Sequence, residues 1–201
     1  MNNDDVKNIL LCGVGGQGTI LTSRILTEGL IRAGYDVKMS EVHGMAQRGG
    51  SVSTQVRYGK KVASPLFGNG QADVCVAFER MEAVRYACFL KSGGVCIVND
   101  YRLIPMSVAA GSAAYPENTI ESMAAVYETI AIPAADIATG LGNVRVMNVV
   151  LLGALVRALG FEGLPGAEWE DIMRELIPGK LLPVNLDAFS AGLSAVGSAL
   201  I

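Results

Sequence analysis

The sequence predicts an α/β fold, an open and mostly parallel sheet covered by helices and followed by helices to the C-terminus. Three features predict it. A short apolar run, a glycine cluster and a helical pattern succeed one another near the N-terminus. A second strand, helix and strand follow between Asp73 and Asn99. Beyond Ala134 helical spacing replaces strand alternation almost throughout.

Asn8 to Cys12 (NILLC) is the first apolar run, and Gln17 to about Ala33 carries the spacing of a helix that Gly34 stops. Asp36 to Glu41 supplies a second strand with Val37 and Met39 on one face. A helix joining two strands in this way is expected to place them parallel and adjacent. Val42 to Gly50 has neither period and reads as a loop, a position where binding residues often sit. Ser51 to Tyr58 alternates and is rich in β-formers. Gly59 and Lys60 make a turn, so Lys61 to Ser64 is expected to pair back as an antiparallel hairpin. Asp73 to Phe78 is a buried strand, Arg80 to Leu90 a helix and Val95 to Asn99 the strand completing a second crossover. Residues 100 to 127, broken by Pro105 and Pro116, carry at most a short helix around Glu121. Glu128 to Ile132 is a late strand. Helices follow at Ala134 to Leu141, Asn143 to Leu159, Ala167 to Leu176 and Val184 to Ala199. No repeat or linker interrupts residues 1–201, which read as one domain.

Composition narrows the function. Charged residues are 17% of the chain where about 25% is usual, and the hydrophobic fraction is 51%. Either some apolar surface is buried against another protein, or the core is large and made of small residues. The net charge of −3, with no basic block beyond Lys60 and Lys61, excludes a nucleic-acid footprint. No apolar run approaches the ~20 residues of a membrane span, and the acidic MNNDDVK start is unlike a signal peptide, so a cytoplasmic location is expected. Cys12, Cys75, Cys88 and Cys96 contain no close pair of the kind that holds zinc or an iron–sulfur cluster. No metal site is expected, and the cysteines in apolar runs read as small buried hydrophobes.

Gly13, Gly15 and Gly18, with Gly16 between them, form GVGGQG between an apolar strand and a helix. There the pattern has a mechanism: glycines permit a tight turn and close approach, and the helix N-terminus offers N–H groups to an anion. Glu41, at the end of the second strand, is placed to bind a ribose, although it follows Gly13 by 28 positions where ~20 is usual. A stand-alone dinucleotide-binding protein is one reading. Glycines that only let a helix and a strand pack closely are the other, and no second domain for a substrate is visible.

GVGGQG followed by EVHGMAQRGG (Glu41 to Gly50) resembles the gamma-type domain of pyruvate and other 2-oxoacid:ferredoxin oxidoreductases. The His43 to Gly50 form is most similar to the small (beta) subunit of the indolepyruvate enzymes. The resemblance continues through SPLFGNGQADVCVAFERMEAVRY, GNVRVMNVVLLGAL and NLDAFSAG, in order and over nearly the whole chain. It implies a Rossmann-like three-layer α/β/α sandwich acting as a non-redox subunit. Thiamine diphosphate, Mg and [4Fe-4S] clusters would belong to a large partner, which oxidises a 2-oxoacid to an acyl-CoA with CoA as co-substrate and passes electrons to ferredoxin. This chain alone would bind no cofactor and supply no catalytic residue; purified alone, it is a candidate homodimer.

The resemblance also implies that the Glu41 to Gly50 loop reaches toward the partner's active site or the CoA path. Arg48, flanked by Gly49 and Gly50, is the side chain suited to meet a carboxylate or phosphate bidentately, and Gln47 to orient it or donate to a substrate oxygen. An arginine in a loop is otherwise an ordinary solvated charge. His43, the sole histidine, reads as a hydrogen-bonded structural group before a catalyst. Asn148 reads as structural, satisfying a buried backbone group or a subunit contact.

Overall fold

The computed structural model describes residues 6–43 and 49–197. Six strands form one sheet in the order β2-β3-β1-β4-β5-β6: β1 (Lys7–Val14), β2 (Asp36–His43), β3 (Ser51–Gly59), β4 (Ala72–Ala77), β5 (Leu90–Asn99) and β6 (Glu128–Ile132). β1, β4, β5 and β6 pair in parallel. β3 runs antiparallel to both its neighbours, β1 and β2.

The first crossover therefore differs from the expected unit. β1 and β2 are parallel in direction but not adjacent, because β3 lies between them. A period-2 pattern marks Ser51 to Tyr58 as a strand without saying which partner it takes. Here it takes two, in registers such as Cys12↔Ser53 and Val42↔Ser53. The antiparallel pairing expected of the sequence is present, but between β2 and β3. Lys61 to Ser64 forms no strand; instead Asp36 accepts the Val62 N–H at 2.7 Å and Arg57 Nη1 donates to Ser64 O at 3.0 Å. The second crossover, from β4 through α2 (Arg80–Tyr86) to β5, has the expected adjacent parallel strands.

Period-2 alternation divides the core in two. Ile9, Leu11, Val56, Val74, Val76 and Ile97 face a layer made by α1 (Thr19–Arg32), α5 (Ala134–Gly140) and α6 (Met147–Ala158), with α7 (Trp169–Leu176) and α8 (Leu182–Ala195) outside them. Leu10, Cys12, Cys75, Ala77, Cys96 and Val98 face a thinner layer holding α2 and α4 (Thr119–Ala124). α3 (Met106–Ala109), one exposed turn, lies in the stretch that the prolines made unreadable. Apart from Asn148 and Arg157, α6 is apolar all round because it is covered all round; only Arg157 is not buried. Its contact with α8 is made through glycines: a Cβ on Gly153 would lie 2.2 Å from Phe189 O, and one on Gly192 2.0 Å from Val150 O.

Two smaller differences concern helix ends. The expected Asn143 to Leu159 helix begins as a 3-10 turn, Val144–Val146, because the Asn143 side chain caps Arg145 N at 3.1 Å and tightens the first turn. α8 starts at Leu182, two residues before the expected Val184, with Pro183 in its first turn. Among the described residues no helix is long and apolar enough to cross a membrane.

Candidate functional site

Helices leave β1 and β4 toward opposite faces of the sheet, so the carboxyl ends of these two neighbouring strands open a crevice. Ligands of α/β proteins bind in such crevices. The glycine loop lies there. Gly16 and Gly18 have φ of 104° and 86°, the left-handed region that glycine enters without a steric penalty, which lets the chain turn from β1 straight into α1.

Gln17 fixes this turn from within. Its Oε1 accepts from Val14 N at 2.7 Å, and its Nε2 donates to Phe78 O at 3.1 Å, so one buried amide joins the loop to the end of β4. A Cβ on Gly13 would lie 2.8 Å from both Gln17 Oε1 and Phe78 Cβ, which explains the first glycine by packing. On the far side Asn148 Nδ2 donates to Gly18 O at 3.3 Å, and a Cβ on Gly18 would meet that nitrogen at 2.6 Å. Asn148 is thus the buried backbone partner its setting suggested. Gln17→Ala would strand the buried Val14 N–H and remove one of the two side-chain donors to Phe78 O, which keeps Asn99 Nδ2 at 3.2 Å. The expected loss is about 2 kcal/mol of stability, read as a lowered urea midpoint at unchanged m-value.

The two loops singled out in the sequence meet here. Gly15 N donates to Gly50 O at 2.8 Å, and Gly49 N to Gly15 O at 3.2 Å, extending the β1–β3 ladder past Val14↔Ser51. Gly49 and Gly50 therefore lie against the glycine loop. His43 ends β2 opposite Val52, which brings the other end of the segment to the same edge of the sheet. Gln47 and Arg48 lie outside the described residues. Beside Gly15, Gly16 and Gly18, a cavity of about 330 Å³ is walled by Thr19, Ile20, Glu41, Val42, Val52 and Thr54. Because β3 intervenes, Glu41 stands one strand, about 4.8 Å, further from the glycines than in a unit with adjacent parallel strands.

Sequence reasoning missed two buried carboxylates at this edge. Glu79, with no exposed surface, caps α2 by accepting from Met81 N at 2.7 Å and Glu82 N at 3.1 Å; it also accepts from Leu103 N at 3.3 Å and from the Tyr115 hydroxyl. Burial and then this carboxylate hold the Tyr115 phenol above its usual pKa. Glu82, 1% exposed, accepts from the Ser51 hydroxyl and from Arg85 Nε at 2.9 Å, tying the residue after Gly50 to α2. A signal existed for Glu79, since it stands immediately before the first helical residue, where an N-cap belongs.

Cys12, Cys75 and Cys96 lie side by side on β1, β4 and β5, sealed under α2, with 3.7 Å between the Cys12 and Cys75 sulfurs. Burial raises the Cys12 thiol, and hydrogen bonding among the thiols raises Cys75 and Cys96, so all three stay protonated. Among the described residues no group of His, Cys, Asp and Glu is arranged to hold a metal ion.

The chain as a whole is similar to known proteins in sequence and in fold. The family described as pyruvate ferredoxin/flavodoxin oxidoreductase matches residues 8–195. The chain is 39% identical to "Indolepyruvate oxidoreductase subunit IorB" of Thermococcus kodakarensis over 94% of its own length and 95% of that protein's. It is 43% identical to the subunit of the same name in Archaeoglobus fulgidus, over 92% of each. The crystal structure of a keto/oxoacid ferredoxin oxidoreductase gamma subunit from Geobacter sulfurreducens superposes with a TM-score of 0.72 at 26% identity, covering 95% of this chain and 96% of that one.

Proposed function

Because the chain belongs to the pyruvate ferredoxin/flavodoxin oxidoreductase family, we propose that residues 1–201 act as one unit, the small non-redox subunit of an indolepyruvate-type 2-oxoacid:ferredoxin oxidoreductase. Thiamine diphosphate, Mg and the [4Fe-4S] clusters reside in a large partner, to which ferredoxin also docks. CoA enters as co-substrate, and the reaction is oxidative decarboxylation of the 2-oxoacid to an acyl-CoA. This chain alone is inactive and works in the cytoplasm; without its partner, its apolar surface pairs two copies of it.

The observation that carries this reading is the joining of the glycine loop to Gly49 and Gly50 by backbone hydrogen bonds at the carboxyl edge of the sheet. That junction presents the segment from His43 to Gly50 from a fixed base. A loop so anchored shapes the partner's active site or CoA path, with Arg48 pairing an anionic group and Gln47 beside it. The described residues fit a supporting share of the chemistry. The buried thiols are protonated, and the buried carboxylates are spent on backbone and hydroxyl donors.

Co-expression with the large-subunit candidate, followed by an assay of 2-oxoacid- and CoA-dependent reduction of ferredoxin or a viologen dye, tests the reading. Activity is expected to require both chains. Full activity from the large chain alone would overturn it. Arg48→Ala is expected to lower turnover of the reconstituted complex about tenfold, the worth of one charge-assisted hydrogen bond, with the thermal transition of this chain unmoved. Unchanged kinetics would remove Arg48 from the site.

A further inference from the structure

We propose that a second copy of this chain docks at the amino end of the sheet, the Lys60–Lys61 turn of each copy entering an acidic groove of the other. The contact lies at the end opposite the glycine loop and holds whatever the His43 to Gly50 segment does. It is a charged contact, distinct from the apolar pairing of isolated copies proposed above.

The groove is built by the chain that leaves α6. That helix starts beside Gly18, where Asn148 Nδ2 reaches Gly18 O, so the residues after its other end lie at the amino end of the sheet. Phe161 packs there on Tyr58, with ring centroids 5.9 Å apart, and Gly166 packs on the end of α1, where a Cβ would lie 2.5 Å from Arg32 O. Between this segment, α7 and α8 lies a cavity of about 570 Å³ with Trp169, Phe189 and Leu193 in its walls. Glu162, Glu168, Glu170 and Asp171 complete the lining, which holds no basic residue. Arg157 pairs with Glu162, and Arg174 is shared by Glu170 at 3.5 Å and Asp171 at 3.6 Å. Four carboxylates against two guanidinium groups leave two negative charges unmatched.

The complement is in the same chain. Lys60 and Lys61 are its only adjacent basic residues. Lys7, Lys38 and Lys91 each pair with an aspartate, whereas Lys60 and Lys61 are exposed and in no ion pair among the described residues. The turn is held in place by Asp36, which accepts the Val62 N–H at 2.7 Å and is itself paired with Lys38. Two unpaired ammonium groups match the two surplus carboxylates. A lysine stem covers apolar surface while its head stays polar, so the stems suit Trp169 and Phe189 and the heads the acidic rim. Taking about 30 Å³ for each water-sized group, a lysine side chain needs roughly 150 Å³, and the cavity holds two. Because Tyr58 and Phe161 touch, the turn just beyond Tyr58 and the groove that begins at Glu162 are neighbours on one face. A two-fold axis between them seats each turn in the opposite groove, the closed isologous arrangement of most soluble dimers. The carboxyl edges then face outward, free for two large subunits.

Sedimentation equilibrium of the full chain in about 0.1 M NaCl is expected to show a dimer with a Kd of about 10 μM or tighter. Raising NaCl to about 1 M shortens the screening length from about 10 Å to about 3 Å and is expected to weaken the dimer about tenfold. The double variants Lys60→Glu, Lys61→Glu and Glu168→Lys, Glu170→Lys are each expected to be monomeric, with thermal transitions near the parent's because all four positions are exposed. Mixed in equal amounts, the two variants are expected to pair again, since the negative turn meets the positive groove and the unaltered turn the unaltered groove. A monomeric parent at about 0.1 mM chain, a dimer indifferent to salt and to both variants, or a mixture that stays monomeric overturns the proposal. So does a groove variant that fails to assemble with the large subunit while the parent chain is monomeric, which assigns the groove to that subunit. Because no activity is read, failure here is distinct from failure of the two-chain assay.

Discussion

Gly192→Ala is expected to destabilise the protein by about 3 kcal/mol, the upper range for overpacking a well-filled core, and so to lower Tm by roughly 9 °C for a chain of this length. The reason lies in what the methyl group would meet. It would fall 2.0 Å from Val150 O and 2.9 Å from Val150 C, and a backbone carbonyl inside α6 has no rotamer by which to withdraw. Relief requires the two helices to separate, and separation opens voids around Leu151, Leu155 and Phe189. Gly153→Ala presses on Phe189 O from the other side of the same crossing and is expected to cost a similar amount. Because either methyl alone forces the same separation, the double variant should lose clearly less than the sum of the singles. Full additivity in thermal melts would show that the helices do not yield together.

Glu79→Ala is expected to cost about 3 kcal/mol as well, by a different route. The carboxylate is shared by two N–H groups at the start of α2, one in the chain beyond β5 and one phenol. Its removal leaves buried donors without acceptors and frees the segment around Leu103 and Tyr115, otherwise tied to α2 by Arg80 N donating to Tyr101 O at 3.1 Å and by the Arg80–Asp100 ion pair. Limited proteolysis should then cleave between Tyr101 and Tyr115 faster than in the parent protein. Glu79→Gln retains an acceptor and should lose less than half as much. Equal losses in the two variants would mean that the donors on the second carboxylate oxygen, Leu103 N and the Tyr115 hydroxyl, set the cost and not the cap.

Local order was legible in this sequence, and long-range partnership was not. Glu128 to Ile132 was bounded correctly because a β-rich run ends at Pro133, and Gly34 marked the stop of α1 through a φ of 89° that other residues avoid. The glycine loop was legible for the same local reason, at Gly16 and Gly18. Strand order was not. Alternation in SVSTQVRY is the same whether the strand closes a hairpin with residue 62 or inserts between β1 and β2, and only the packed sheet distinguishes them. The site followed suit. Gln17, Asn148 and Glu79 draw their meaning from Phe78, Gly18 and Tyr115, which lie 61, 130 and 36 positions away. No window along the chain contains both members of such a pair.

The insertion of β3 also sets a timetable for synthesis. β1 is almost wholly apolar and central, yet its first partner in the sheet ends with Gly59, and its second begins with Ala72. At translation speeds of roughly 5–20 residues per second, this strand emerges from the ribosome several seconds before anything it can pair with. α1 can shield one face in the interval. The other face, with Leu10 and Cys12, waits for α2, so the nascent chain presents a sticky ribbon to chaperones until about residue 90 has cleared the tunnel.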